Sequence, residues 1–235
     1  MDGVRALDTQ GAKLEPIRVL AALGYPAAEC ASAAIREMLP ALIDEVAACT
    51  IPKAVVRSVT FETSGGAIQI ACGPVFHAPF LAYAAALASR VCLFALTLGP
   101  AVTDWISDLA ARDVAAGFVA DAAASEWVEV LADRLQAELA AELASEGLAG
   151  VSRFCPGYCD WPIEQMPALL GHVDAATIGI TLSEGGLMIP RKSICGLIAF
   201  GRDVEEMDRL PCDVCAKDCP HRRAPHRPRR IETAP

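Results

Sequence analysis

Residues 153–162 read RFCPGYCDWP: an arginine, two cysteines, a Pro-Gly-Tyr and an Asp-Trp-Pro, in a chain otherwise rich in alanine, leucine and valine. Taken alone, Pro-Gly-Tyr behind the short strand expected over 151–154 is a turn, in which Gly157 adopts a positive φ or lets a ligand approach the backbone closely. Arg153, just upstream, is a planar fork of donors suited to a carboxylate. The segment therefore reads as a tight turn, as a ligand site or, through its thiols, as a metal site. Its surroundings decide among these.

Working outward, the longest expected element is a helix over 113–145, alanine-rich, acidic on one flank and without Gly or Pro after Gly117. Before it, VCLFALTLG over 91–99 reads as a buried strand, and Pro100 opens a helix where its missing N–H does no harm. A short helix is expected over 79–90. VVRSVTFET places a strand over 53–63, Ser64-Gly65-Gly66 is a hairpin break, and 67–71 is the returning strand. Helical spacing over 14–23 ends at Gly24-Tyr25-Pro26. A second amphipathic helix over 27–48 puts Ile35, Leu39, Leu42, Ile43 and Val46 on one side, with Pro40 expected to kink or divide it. Beyond the opening segment come a helix over 163–170 and strands over 176–182 and 193–200. Hairpin signals outnumber strict β-α-β units, so the expected class is α+β: a mostly antiparallel twisted sheet with long flanking helices. The expected organisation is a flexible leader over 1–13, one globular domain over 14–205, a cysteine-rich segment over 206–221 and a basic tail over 222–235. The tail's Arg222, Arg223, Arg227, Arg229 and Arg230 lie among prolines, as in a solvated disordered tail or an electrostatic tether to an acidic partner.

Composition narrows the function classes. The 235 residues are 54% hydrophobic and 21% charged, which suits a chain that buries a full core. No apolar run reaches the ~18 residues of a membrane span, and MDGVRALDTQ lacks the apolar core of a signal peptide, so a cytoplasmic location is expected. A net charge of −9 argues against nucleic acid as the main partner. Ten cysteines in a reducing compartment are not expected to form disulfides. Cys30, Cys49, Cys72 and Cys92 sit among apolar neighbours and are expected as buried hydrophobes. PCDVCAKDCPH over 211–221 is different: Cys212, Cys215 and Cys219 at C-x2-C-x3-C spacing can clasp an iron–sulfur cluster, or zinc with a fourth ligand such as His221 or a distant cysteine. The chain has no Ser-His-Asp or Cys-His arrangement, no P-loop and no GxGxxG; His77, His172, His221 and His226 read as structural or solvated.

RFCPGYCDWP is preceded by LTLGPAV and DAAASEWVEVLADRL and followed by ATIGITLSEGGLMIPRKSICGLIAFG. Together these resemble the S-adenosylmethionine-binding activation domain of cobalamin-dependent methionine synthase, here as a stand-alone chain, over about residues 14–200. In that family the loop reads Arg-x-x-Pro-Gly-Tyr, and the later stretch reads Ile-Gly-x-Thr-Leu-x-Glu, then Met-x-Pro, then Ser-x-x-Gly. The resemblance implies that Arg153 anchors the methionine carboxylate of S-adenosylmethionine and that Glu129 meets its ammonium group. Backbone around Cys155, Pro156 and Gly157 would hold the adenine and ribose. Tyr158, the candidate catalytic residue, would stand near the sulfonium and the corrin, and Glu184 occupies the Thr-Leu-x-Glu position. Asp160 and Trp161 would shape the pocket wall.

The resemblance further implies a reactivation module of a methyltransferase system. Its cobalamin would be carried by a separate corrinoid-binding methyltransferase subunit, since the chain has no Asp-x-His-x-x-Gly. Electrons would come from a donor such as a flavodoxin or ferredoxin. Methyl transfer from a sulfonium to Co(I) is a direct displacement that requires positioning rather than a nucleophile–base pair. Cys155 and Cys159 depart from the family pattern. Either the C-terminal segment folds back so that Cys155, Cys159 or Cys195 completes a cluster with Cys212, Cys215 and Cys219, or the loop thiols line the pocket for redox work. The alternative function is an iron–sulfur or zinc accessory protein of a corrinoid methyl-transfer system that does not bind S-adenosylmethionine. Anaerobically purified protein is expected to carry iron or zinc by elemental analysis, and a Cys212→Ser/Cys215→Ser variant is expected to lose it.

Overall fold

The computed structural model describes residues 2–148 and 150–202; the cysteine-rich segment beyond 202 and the basic tail lie outside the described residues. In chain order the elements are β1 (Gly3–Ala6), α1 (Pro16–Ala22), α2 (Ala33–Cys49), β2 (Lys53–Val59), β3 (Phe61–Ser64), β4 (Ala67–Ile70), β5 (Val75–His77), α3 (Pro79–Ala86), β6 (Arg90–Thr97), α4 (Pro100–Arg112), α5 (Val114–Leu143), β7 (Gly150–Phe154), α6 (Met166–Val173), β8 (Thr181–Leu182), β9 (Met188–Ile189) and β10 (Ser193–Gly201). Five strands form the main sheet in the order β1-β2-β6-β10-β7, and every neighbouring pair is antiparallel. A small β3-β4-β5 sheet and a β8-β9 hairpin accompany it.

The expected α+β class with an antiparallel sheet and long helices is the observed one. β6 and β10 explain its layering. Along β6, Cys92, Phe94 and Leu96 join one apolar cluster while Val91, Leu93 and Ala95 join another. Along β10, Ile194, Ile198 and Phe200 face the first cluster and Cys195, Leu197 and Ala199 the second. Strands covered on both faces read as continuous apolar runs. The first cluster is roofed by α1, α2, α4 and α5, the second by α3, α6 and the small sheet. α5 spans 30 residues, about 45 Å, and the Asp113 carboxylate caps it by accepting from the Ala116 N–H at 3.0 Å.

Several local expectations are corrected. Residues 1–13 are not simply a leader: β1 pairs with β2, Leu7 is buried, and Arg5 bonds the Glu142 carboxylate of α5 at 2.5 and 3.0 Å. The strand expected over 53–63 is two, β2 and β3, broken at Thr60. α2 runs unbroken past Pro40, which is exposed, so water can satisfy the carbonyl its ring deprives of a partner. α2 begins at Ala33, where the Ser32 hydroxyl accepts from the Ile35 N–H at 3.3 Å. The strand expected over 176–182 is mostly a 3-10 turn, Ala175–Ile178, with only Thr181 and Leu182 in a strand. Of the four cysteines expected in the core, Cys92 is buried, Cys49 half-buried, and Cys30 and Cys72 exposed.

β7 forms the sheet edge beside β10, and Gly196 lets it do so. A Cβ at Gly196 would collide with the Phe154 carbonyl and come within 3.1 Å of Cys155 Sγ. Backbone cannot yield as a flexible side chain can. Gly196→Ala is therefore expected to cost at least about 2 kcal/mol and lower the melting temperature by roughly 4–8 °C, measured by calorimetric unfolding.

Candidate functional site

Alternation along β7 sends Phe154 to the α6 side of the sheet, where it meets Phe80 with ring centroids 5.8 Å apart, and turns Arg153 and Cys155 toward α5. The chain then folds into consecutive turns. The Tyr158 N–H donates to the Cys155 carbonyl at 2.9 Å, the Gly157 N–H to the Trp161 carbonyl at 2.7 Å, and the Trp161 N–H to the Tyr158 carbonyl at 3.0 Å. Gly157 has φ +94°, a conformation that favours glycine. Tyr158 packs on the α5 side, whereas Trp161 is buried on the other, against Phe76 at 5.2 Å. Asp160 accepts from the Phe80 N–H in the first turn of α3 at 2.7 Å. The loop thus grips the sheet edge from both faces.

On the α5 side stands an ionic cluster. Arg153 Nη2 donates to Glu129 Oε2 at 2.9 Å and to Asp133 Oδ1 at 2.8 Å, and the Tyr158 hydroxyl donates to Glu129 Oε1 at 3.1 Å. From α1, Arg18 Nε donates to Glu126 Oε2 at 3.2 Å and Nη1 to Asp133 Oδ2 at 3.5 Å. Glu126, Glu129 and Asp133, at i, i+3 and i+7, share one flank of α5. Glu126 and Glu129 are buried, while the Asp133 side chain is 54% exposed. Arg153 Nη1 is buried with no hydrogen-bond partner among the described residues. A guanidinium nitrogen left so is costly, and the natural complement is an incoming acceptor.

Further along the same stripe, the buried Lys192 ammonium donates to the Asp121 carbonyl and the Ser125 hydroxyl, both at 2.9 Å, and pairs with Asp121 Oδ1 at 2.7 Å. Burial pulls the Lys192 pKa below its ordinary value, against the opposing pull of Asp121. Asp121, Ser125, Glu129 and Asp133 follow one another at four-residue steps, so the seam between α5 and the sheet is polar along this line.

Of the residues singled out in the sequence, the fold brings Glu129, Arg153 and Tyr158 together and places Cys155, Pro156 and Gly157 in the adjoining turn. Glu184 stands exposed in the β8-β9 turn, whose Leu182 and Met188 pack against the second cluster; no hydrogen bond links it to the other three. Cys155 is buried, and Cys159 is partly exposed with φ +50°. Among the described residues no group of three or more His, Cys, Asp or Glu is disposed to hold a metal ion. Cys212, Cys215 and Cys219 lie outside those residues. Cys195 does not share a face with Cys155: it is buried in the second cluster, and burial pushes its thiol up to about 12, the reverse of what a thiolate ligand needs. Arg18, Glu126, Asp133 and Lys192 escaped sequence reading. The 3-4 spacing of the α5 acids was visible, but nothing local announced their partners.

The architecture is a two-faced antiparallel α+β sheet closed at one edge by the loop. A crystal structure described as the MetH reactivation domain bound to AdoHcy matches with a TM-score of 0.61 at 17% identity, covering 86% of this chain and 79% of that one. At this identity the likeness is one of fold. No family model and no curated protein matches the chain. Among the described residues, no helix is long and apolar enough to cross a membrane.

The Glu129–Arg153 pair is largely buried, with side-chain exposures of 8% and 13%. Arg153→Met strands a buried carboxylate and is expected to cost about 3 kcal/mol, seen as a fall in melting temperature. Adding Glu129→Gln is expected to recover most of that loss.

Proposed function

We propose that the chain binds S-adenosylmethionine through Glu129, Arg153 and Tyr158 and acts as a reactivation module for the corrinoid of a separate cobalamin-dependent methyltransferase of the methionine synthase type. The observation that carries this reading is the buried Nη1 of Arg153, without a hydrogen-bond partner among the described residues and beside a buried carboxylate, on a fold similar to that of a solved structure described as bound to AdoHcy. An α-amino acid presents a carboxylate and an ammonium a few ångströms apart. Arg153 offers the fork for the first and Glu129 the acceptor for the second.

In this reading, Tyr158 holds Glu129 in place and presents its ring toward the reacting methyl group. Backbone groups of Cys155, Pro156 and Gly157 hydrogen-bond the nucleoside, which can come close because Gly157 carries no side chain. S-adenosylmethionine supplies an electrophilic methyl group. The chain's own residues bind it, orient it and exclude water, a task that needs no general base. Cobalamin would come on the methyltransferase partner, and the electron for reducing Co(II) to Co(I) from a flavodoxin- or ferredoxin-like donor. Cys212, Cys215 and Cys219 would hold an iron–sulfur cluster or zinc, completed by Cys155 or Cys159. The presence of two thiols on the ligand loop itself favours one second reading: a metal-carrying accessory of the same system that has lost S-adenosylmethionine binding.

Calorimetry on oxygen-free protein separates the two. Saturable heat with S-adenosylmethionine is expected. Arg153→Lys, which keeps the charge for Glu129 but loses the fork, should weaken binding about tenfold. No heat at millimolar ligand overturns the proposal, and bound iron or zinc in that same protein supports the second reading.

A further inference from the structure

Two carboxylates share Arg153, on unequal terms. Glu129 is buried and also receives the Tyr158 hydroxyl, so withdrawing it would strand a charge away from water. The Asp133 side chain is 54% exposed. One of its oxygens lies 2.8 Å from Arg153 Nη2, and the other already lies 3.5 Å from Arg18 Nη1. If Asp133 leaves Arg153, water and Arg18 are at hand to receive it, and an exposed ion pair is weak. Among the described residues Arg153 is thus doubly engaged at Nη2 and unengaged at the buried Nη1. A carboxylate arriving at Nη1 can become two-pronged only if Asp133 gives up its place.

We propose that Asp133 is an internal stand-in for the ligand's carboxylate: it occupies Arg153 until an α-amino acid ligand arrives, then passes to Arg18 alone. This rests on the S-adenosylmethionine reading of the site and adds to it two specificity-determining residues, Asp133 and Arg18. Glu129 is the acid that stays and Asp133 the acid that exchanges. Arg18, on α1, is the receiving station, which gives a helix outside the loop an influence on affinity. No covalent step is involved; one charge-assisted contact replaces another.

The test uses the full chain and two titrants, S-adenosylmethionine and the net-neutral zwitterion S-adenosylhomocysteine. The second limits the direct effect of removing a charge. Asp133→Asn is expected to tighten S-adenosylhomocysteine about fivefold, because the competitor is gone, with little change in melting temperature. Arg18→Met is expected to weaken it about fivefold while Asp133 is present, but less than twofold in the Asp133→Asn background. That non-additivity is what a merely structural role of Arg18 would not produce. Unchanged or weaker binding by Asp133→Asn, or an Arg18→Met effect of equal size in both backgrounds, overturns this inference while leaving the proposed function standing. Wild-type protein that binds neither titrant overturns both.

Discussion

The sheet is buried on both faces at its centre, and that constraint organises the molecule. β6 and β10 present apolar side chains to α5 on one side and to α3 and α6 on the other. Polar chemistry in such a layer is expensive unless every group is paired. It is accordingly displaced to the edge strand, β7, and to the seam where α5 crosses it. Gly196 permits the edge strand to lie close enough for its Arg153 to reach α5. The loop then closes over the edge, with Tyr158 on one face and Trp161 on the other, so its geometry is held by two cores rather than by its own short turns.

The cluster this creates is unbalanced by design of its surroundings. Three carboxylates of α5 meet two guanidinia, and the donors are not evenly distributed: among the described residues Arg153 Nη2 has two acceptors, while Nη1, buried, has none. A packed protein seldom keeps such an arrangement for stability alone, since a buried ion pair returns little beyond its desolvation cost. Lys192, further along the same helix stripe, is by contrast fully engaged by Asp121 and Ser125, and it ties the start of β10 to α5.

Sequence reading succeeded where the signal was local. The continuous apolar run over 91–99, the alanine-rich helix and the hairpin break at Gly65-Gly66 each carry their period or turn chemistry within a few residues, and each appears where expected. It failed where a neighbour overrode the local pattern. β1 is a strand because β2, some fifty residues later, offers it an edge. Residues 175–178 form a 3-10 turn despite their β-branched character, with Ala175 and Ile178 buried under the sheet. Pro40 does not divide α2 because that position faces water.

By itself the chain determined its class, its central strands and a turn in which Gly157 and Arg153 have chemical reasons to be what they are. Periodicity and turn chemistry are properties of adjacent residues, so they are legible in one dimension. Only the tertiary structure decided that Arg153 is shared between Glu129 and Asp133, that Arg18 waits beside Asp133 across 115 residues of sequence, and that Cys155 and Cys195 stand on opposite faces of one sheet. Those pairings depend on how a strand's two-residue alternation meets a helix's 3.6-residue turn at a particular crossing, and no short stretch of sequence contains both.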